Sequence, residues 1–368
     1  MLGLDLREMT AVTGAHLVQG GSRLLFRSIT TDTRSLQAGD IFIALKGDRY
    51  DGHDFVNAAL DKGAAGVIVA RLPADLRRSV AGRIEDGRKE FFILQAQDTL
   101  RALGDIAHAH RMKFNIPMIG ITGSTGKTTV KEMIARVLGR KYSVLKNEGT
   151  ENNLIGVAWT LLRLNAAHEA GVIEMGTNHF GEIERLAEMA EPDTGIITNI
   201  GPSHLEFLIS EDGVLREKAS LLRRLLPCHR ALINADDERL TALDGCAAKI
   251  VRFGIDNAAD FRATKIVQRA GKLFFTVEGV GEFTLKALGR HNIYNALAAI
   301  ATGVMHGIAP AQVREALAVC EPVPGRMSLL RAGGFEIIDD AYNANPLSVR
   351  AAVDALTAHP SAGKKFFI

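Results

Sequence analysis

Short apolar runs alternate with longer segments of helical periodicity along most of this 368-residue chain. From residue 113 onward, apolar runs at 118–121, 143–146, 171–175 and 195–200 read as buried strands. Between them lie helical patterns reaching residue 138, near 154–164, and at 182–190, and further pairs run through 231–234 and 250–253. This alternation predicts βαβ units: a mostly parallel sheet with helices on both faces. Ligands of such sheets sit beyond the carboxyl ends of the strands, so residues just after strands are the candidates for chemistry.

The flanks follow other patterns. Residues 1 to about 112 predict a small α/β domain with strands at 24–29, 40–45, 64–70 and 90–95, and a helix capped by Asp98 that runs to about Phe114. At 261–288 the apolar period changes to two, which predicts an antiparallel insertion. A buried helix follows Gly289. After Pro322 to Met327 a new βα unit starts, with a strand at 334–338 and a helix at 348–359, and the apolar run KKFFI reads as a second, parallel strand. Two parallel strands and one helix cannot bury a sheet on both faces, so this last part is expected to be incomplete or covered by something else. The expected domains are 1–112, 113–321 and 322–368.

Composition narrows the function classes. A formal net charge of +2 gives no electrostatic footprint for nucleic acid or a membrane surface. No apolar stretch is long enough to span a bilayer, and the acid-containing N-terminus does not read as a signal peptide. Cys228, Cys246 and Cys320 lack paired spacing, which favours a reducing, cytoplasmic compartment over a disulfide framework or zinc site.

The strongest chemical signal is PMIGITGSTGKTT, from Pro117 to Thr129, with a strand before it and an amphipathic helix after it. Gly123, Ser124, Thr125 and Gly126 form a turn whose backbone N–H groups can approach phosphate oxygens. Lys127 would neutralise β/γ-phosphates, the hydroxyl of Thr128 could ligate Mg²⁺, and Thr129 continues the loop into the helix. The usual spacing is not met, because Ile121 stands where the first glycine belongs and Gly120 comes one residue early. A glycine turn capping a core helix is the competing reading.

Other candidates carry bland alternatives. Glu174 ends an apolar strand and could hold Mg²⁺, or face water. His204 could bind a second metal, or be an ordinary loop histidine. Lys218 by itself reads as a surface lysine among arginines. Asn152 and Asn153 could read substrate amides, or Asn152 could cap a helix. Asn292 and Asn295 are helix-surface neighbours that could bond an adenine edge, or Asn292 could serve as an N-cap. Thr33, Arg34, Lys46 and Gly47 suit a diphosphate, or are solvated loop charge with turn residues.

The motifs TDTRSLQAGDIFIALKG, GSTGKTT, NEGTENNLIG, VIEMG, SHLE, GRHN with Asn295, PGRM and IIDDAYNANP occur in the order of the Mur ligase family and span nearly the whole chain, which resembles that family. The resemblance implies a three-domain α/β architecture: a small N-terminal UDP-binding domain, a central P-loop domain, and a Rossmann-like C-terminal domain. It implies ATP-dependent ligation of D-Ala-D-Ala to UDP-N-acetylmuramoyl-tripeptide through an acyl phosphate, by a monomer, in peptidoglycan precursor synthesis.

Carried over residue by residue, the resemblance puts ATP at the 123–129 loop, Asn292, Asn295, Arg326 and Asp340. One Mg²⁺ falls to Thr128 and Glu174, a second to His204 and a carbamylated Lys218, the UDP group to Thr33, Arg34, Lys46 and Gly47, and the muramoyl peptide to Asn152 and Asn153. Ser220 stands where many relatives have an acid. The family also continues for roughly another hundred residues, so slow turnover is expected of these 368. The competing readings are another amide ligase on the same core and a non-catalytic nucleotide- or precursor-binding fragment.

Overall fold

The computed structural model describes residues 4–20, 26–72, 91–243, 245–360 and 363–368. The chain forms two compact units, residues 1–115 with 161–164, and residues 116–160 with 165–368.

The first unit opens on a helix, Leu6–Thr13, fixed by a reciprocal capping box in which Asp5 accepts from the N–H of Glu8 and Glu8 accepts from that of Asp5. Its sheet contains β1 (His16–Gln19), β2 (Ile29–Thr30), β3 (Ile41–Ile43), β4 (Gly66–Val69) and β5 (Phe92–Gln95), in the order β1-β5-β4-β3-β2. β2 to β5 are parallel and β1 is antiparallel to β5. Phe42, Val67 and Ile93 on the sheet bury against Val56, Ala59 and Leu60 of the helix Val56–Asp61. The strands expected at 24–29 and 90–95 lie partly outside the described residues; of the first only Ile29 is in a strand, β2, while residues 92–95 of the second form β5.

The second unit is built on nine strands: β6 (Met118–Thr122), β7 (Val144–Lys146), β8 (Ala170–Glu174), β9 (Thr194–Ile197), β10 (Arg230–Asn234), β11 (Lys249–Gly254), β12 (Phe261–Arg269), β13 (Lys272–Val277) and β14 (Gly281–Leu285). Their order is β14-β13-β12-β11-β10-β9-β6-β8-β7. Strands β7 to β12 pair in parallel, and β6, β8 and β9 are buried along their whole length, as helices on both faces require. One face carries Val130, Ile134 and Val137 of the helix Lys127–Leu138 against Ile293, Ala296 and Ile300 of the helix His291–Met305. The helices Glu182–Ala190 and Glu211–Arg223 pack on each other and on β6 and β9.

The period-two region is not a separate insertion. β12 joins β11 in parallel at Phe253–Phe261 before the chain reverses into β13 and β14, so the antiparallel hairpins extend the central sheet.

The last part differs from expectation. β15 (Ser328–Ala332) and β16 (Phe335–Asp339) form an antiparallel hairpin across Gly333-Gly334. The parallel strand expected at 364–368 is absent, and Phe366 and Phe367 are exposed. A strand persists only when paired, and among the described residues nothing pairs with that run. The helix Pro346–Ala358, capped by Asn345, buries Ala352 and Ala355 against Leu288 and Met327.

In the first unit, Asp98 accepts from the N–H groups of Leu100 and Arg101 at the start of the helix Thr99–Arg111. Asp98→Ala is expected to lower stability by about 1 kcal/mol in urea unfolding. An unchanged midpoint would show that this cap contributes nothing.

Candidate nucleotide and metal site

β6 lies between β8 and β9, so the connections leaving it diverge and open a crevice at its carboxyl end. The turn 123–126 fills that point. Gly123 has φ +148, and a Cβ there would stand 1.9 Å from the hydroxyl of Thr198, so only glycine fits. Gly126, at φ +81, begins the helix Lys127–Leu138, and a Cβ would meet Oδ1 of Asn295 at 2.5 Å. This helix has no side-chain cap, and its first N–H groups lack intrahelical partners, which makes a seat for an anion.

The turn is tied to the loop after β9. The N–H of Thr125 donates to Oδ1 of Asn199 at 3.0 Å, and Nδ2 of Asn199 donates to Oγ1 of Thr125 at 2.9 Å. Oγ of Ser124 donates to the carbonyl of Gly201 at 2.9 Å and accepts from its N–H at 3.0 Å. Lys127 folds back, with Nζ donating to the carbonyl of Gly123 at 2.9 Å. Burial holds its pKa below the ordinary lysine value; Glu174 opposes that shift and Arg326 adds to it.

Glu174, at the end of β8, is 1% exposed rather than facing water. Oε1 accepts from Oγ1 of Thr128 at 3.1 Å and from Nδ2 of Asn152 at 2.8 Å. Oε2 is buried with no hydrogen-bond donor; the ammonium of Lys131 stands 3.8 Å away. An orphaned buried carboxylate oxygen beside a hydroxyl and an anion seat fits Mg²⁺, which prefers one or two carboxylates plus phosphate oxygens and water. Among the described residues, no group of three His, Cys, Asp or Glu side chains gathers for a metal.

Several bland readings fail. Asn152 does not cap the following helix; Asn153 does, its Oδ1 accepting from the N–H of Gly156 at 2.8 Å. Asn292 is no N-cap: its Nδ2 donates to the carbonyl of Leu288 at 2.8 Å, and its Oδ1 accepts from Nδ2 of Asn295 at 3.0 Å. Lys218 is 1% exposed, not a surface lysine. Burial drives its pKa well below the ordinary lysine value; Lys127 adds to that and Glu217 opposes it. His204 sits at φ 52, ψ 34, with its pKa lowered by burial and by Lys218 and Lys127. Next to Lys218, Glu217 accepts from the N–H groups of Gly181 and Ile183, each at 2.8 Å, and so caps the helix Glu182–Ala190 from another element.

A single cavity of the second unit is lined by the loop residues Ser124 to Thr129, by Asn152, Asn153, Glu174 and His204, and by Asn292, Asn295, Arg326 and Asp340. Lys218 does not line it, although its charge is felt there. The guanidinium of Arg326 lies 4.2 Å over the ring of Tyr342, and Asp340 accepts from the N–H of Met327 at 3.1 Å. Asn199, His291, Tyr294, Tyr342 and Asn343 also line the cavity and were not singled out from the sequence. DDAYNANP contains Tyr342 and Asn343, and GRHN with its sequel contains His291 and Tyr294, so the signal for those four was present; nothing in the sequence marked Asn199.

The four candidates of the first unit are not among the residues that line its described pocket. Thr33 and Arg34 follow β2, and Lys46 and Gly47 follow the neighbouring β3. The guanidinium of Arg34 is 90% exposed and pairs with Asp32 at 2.7 Å, while the N–H of Gly47 closes a turn onto the carbonyl of Tyr50 at 2.9 Å. Lys62 donates to the carbonyl of Thr33 at 2.8 Å, and Lys46 forms an isolated antiparallel bridge with Asp51. A shallow pocket of the same unit is lined instead by residues such as Arg27, Ser28 and Asp40.

The Mur ligase middle domain matches residues 121–303, and the catalytic domain of the Mur ligase family matches residues 26–111. The UDP-N-acetylmuramoyl-tripeptide–D-alanyl-D-alanine ligase of Bacillus subtilis is 35% identical over 346 residues, which are 94% of this chain and 73% of the relative. A crystal structure of MurF from Acinetobacter baumannii superposes with TM-score 0.87 at 31% identity, covering 96% of this chain and 76% of the other. The MurF ligase of Thermotoga maritima in complex with ADP gives TM-score 0.81 at 27% identity, covering 92% and 77%.

Gly123→Ala is expected to weaken ADP binding about tenfold or more in calorimetry, since strain on the order of 1–3 kcal/mol falls on the turn itself. Wild-type affinity in that variant would contradict the close approach to Thr198.

Proposed function

The chain belongs to the Mur ligase family of ATP-dependent ligases, and from that premise we propose that it joins D-Ala-D-Ala to UDP-N-acetylmuramoyl-tripeptide in peptidoglycan precursor synthesis. The observation that carries the reading is the pairing of an anion seat at the 123–129 loop with the orphaned Oε2 of Glu174. Amide formation from a carboxylate and an amine needs an activated acyl group. Transfer of the γ-phosphoryl of ATP to the tripeptide carboxylate supplies it as an acyl phosphate. The amine of D-Ala-D-Ala then attacks the carbonyl carbon, and phosphate leaves with the bonding electrons.

In this proposal the chain's own groups do three things. The N–H groups at the helix start and Lys127 hold the β/γ-phosphates; Asn292 and Asn295 take the adenine; Arg326 and Asp340 reach the phosphate and ribose. Thr128 and Glu174 would hold one Mg²⁺, and His204 with a carbamylated Lys218 a second. The metal, when bound, supplies positive charge that lets the carboxylate approach the triphosphate. Two observations support the Lys218 role: it is almost fully buried, and burial favours its neutral amine, the form that can take up carbon dioxide. Asn152 and Asn153 would meet the peptide, and Thr33, Arg34, Lys46 and Gly47 the UDP group.

The same proposal divides the chain at 1–112, 113–321 and 322–368. The β15–β16 hairpin, a sheet separate from the nine strands, supports the last boundary. It also includes a monomer working in the cytoplasm without nucleic acid or membrane. Near-neutral charge supports the lack of a polyanionic partner, and no helix among the described residues is long and apolar enough to cross a membrane.

The test is mass detection of UDP-N-acetylmuramoyl-pentapeptide. Product is expected only when ATP, Mg²⁺ and both substrates are present, and slow turnover suffices for detection. Lys127→Ala is expected to reduce the rate on the order of 10²-fold or more. Product without ATP, or none with all components, would refute the assignment.

A further inference from the structure

Beside Glu174, and not among the residues lining the cavity, stands a charged residue that the reaction scheme does not use. Lys131 lies on the helix Lys127–Leu138, three residues after Thr128 and hence a neighbour on the same face. Its side chain is wholly inaccessible to solvent. Nζ donates to the carbonyls of Asn147 at 2.9 Å and Gly149 at 3.2 Å. Two carboxylates face it: Oε1 of Glu132 at 3.3 Å and Oε2 of Glu174 at 3.8 Å. Glu132 is shared with Lys146, so Lys131 is not fully committed there.

The loop that Lys131 grips is the one that fixes Glu174. Oδ1 of Asn147 accepts from the N–H of Glu174 at 2.7 Å, and its Nδ2 donates to the carbonyl of Glu174 at 3.2 Å and to that of Glu151 at 2.7 Å. Five residues on, Nδ2 of Asn152 holds Oε1 of the same carboxylate, and the carbonyl of Asn152 accepts from the N–H of Gly176 at 2.8 Å. Glu174 is therefore clamped at its backbone and its carboxylate by one loop, and that loop is fastened to the phosphate-loop helix through Lys131. A buried ammonium is an expensive fastener, because it forgoes hydration. An apolar side chain would fill the space, but it could not donate to two carbonyls.

We propose that Lys131 is a positioning residue for the magnesium site, holding the 147–152 loop so that the Glu174 carboxylate presents Oε2 to the metal in a fixed orientation. This rests on the reading that Thr128 and Glu174 hold magnesium. Without Lys131 the carboxylate has to be ordered when the metal arrives, so the metal binds less tightly while the phosphate seat, built from the 123–129 backbone, is unaffected. Loss of a partner lying outside the coordinating groups typically weakens metal binding about 10- to 100-fold.

The experiment is calorimetric titration of ADP, with and without Mg²⁺, into wild-type protein and Lys131→Met. The expected result is an unchanged ADP affinity without magnesium and an enhancement by magnesium that falls about tenfold or more in the variant. If Lys131→Met does not fold, Lys131→Leu, which likewise removes both bonds to the loop, is titrated in its place with the same expectation. Full magnesium enhancement in the folded variant would overturn the assignment. Equal weakening with and without magnesium would also overturn it, because that marks a merely structural lysine. No magnesium enhancement in the wild type would remove the metal reading itself, and this inference with it.

Discussion

A buried carboxylate with one satisfied and one unsatisfied oxygen governs this structure. Glu174 is placed by β8, held at Oε1 by Thr128 and Asn152, and left without a donor at Oε2. Leaving a buried acceptor unpaired costs about 1–3 kcal/mol, and more for a charged group. A fold retains such a group where something else is to occupy the position. The surrounding elements follow from it: β6 delivers the phosphate turn, β9 delivers the loop that straps the turn, and the helix Lys127–Leu138 carries Thr128 and Lys131 to opposite sides of the carboxylate.

Basic side chains are gathered around the same point. Burial depresses the proton affinity of Lys127, Lys218 and His204; Arg326 adds to that at Lys127, Lys127 adds to it at Lys218, and both lysines add to it at His204. Burial disfavours the charged forms of these groups, and a bound polyanion favours them. The site is thus poised electrostatically for a triphosphate, while Oε2 of Glu174 is poised for a cation. Both kinds of charge are needed where a carboxylate must approach a phosphoryl group.

Much of this was legible in the sequence because local signals and distant ones agreed. The βαβ alternation fixed a parallel sheet, and strand, glycine turn and helix located the phosphate seat despite the misplaced Gly120. Glu174 and His204 lay where strand ends should put them. What could not be read was burial that depends on distant partners. Lys218 and Lys131 look like helix-surface lysines until the packing around them is seen, and Asn152 and Asn153 exchange the roles that capping rules suggest. The final hairpin turns at Gly333-Gly334, inside a stretch whose apolar pattern predicts only the second strand, and among the described residues KKFFI has no strand partner. Arg34 and Lys46 stand on polar loops that carry the family resemblance; Arg34 pairs with Asp32, and Lys46 bridges to Asp51.

The central claim is that Oε2 of Glu174 and Oγ1 of Thr128 are metal ligands. Anomalous diffraction from crystals grown with ADP and Mn²⁺ addresses it directly, because manganese takes the same oxygen ligands and is located by its own scattering. The account predicts a peak within coordinating distance of both oxygens and of the nucleotide's phosphate. A metal elsewhere, with Oε2 still facing Lys131 alone, would contradict it.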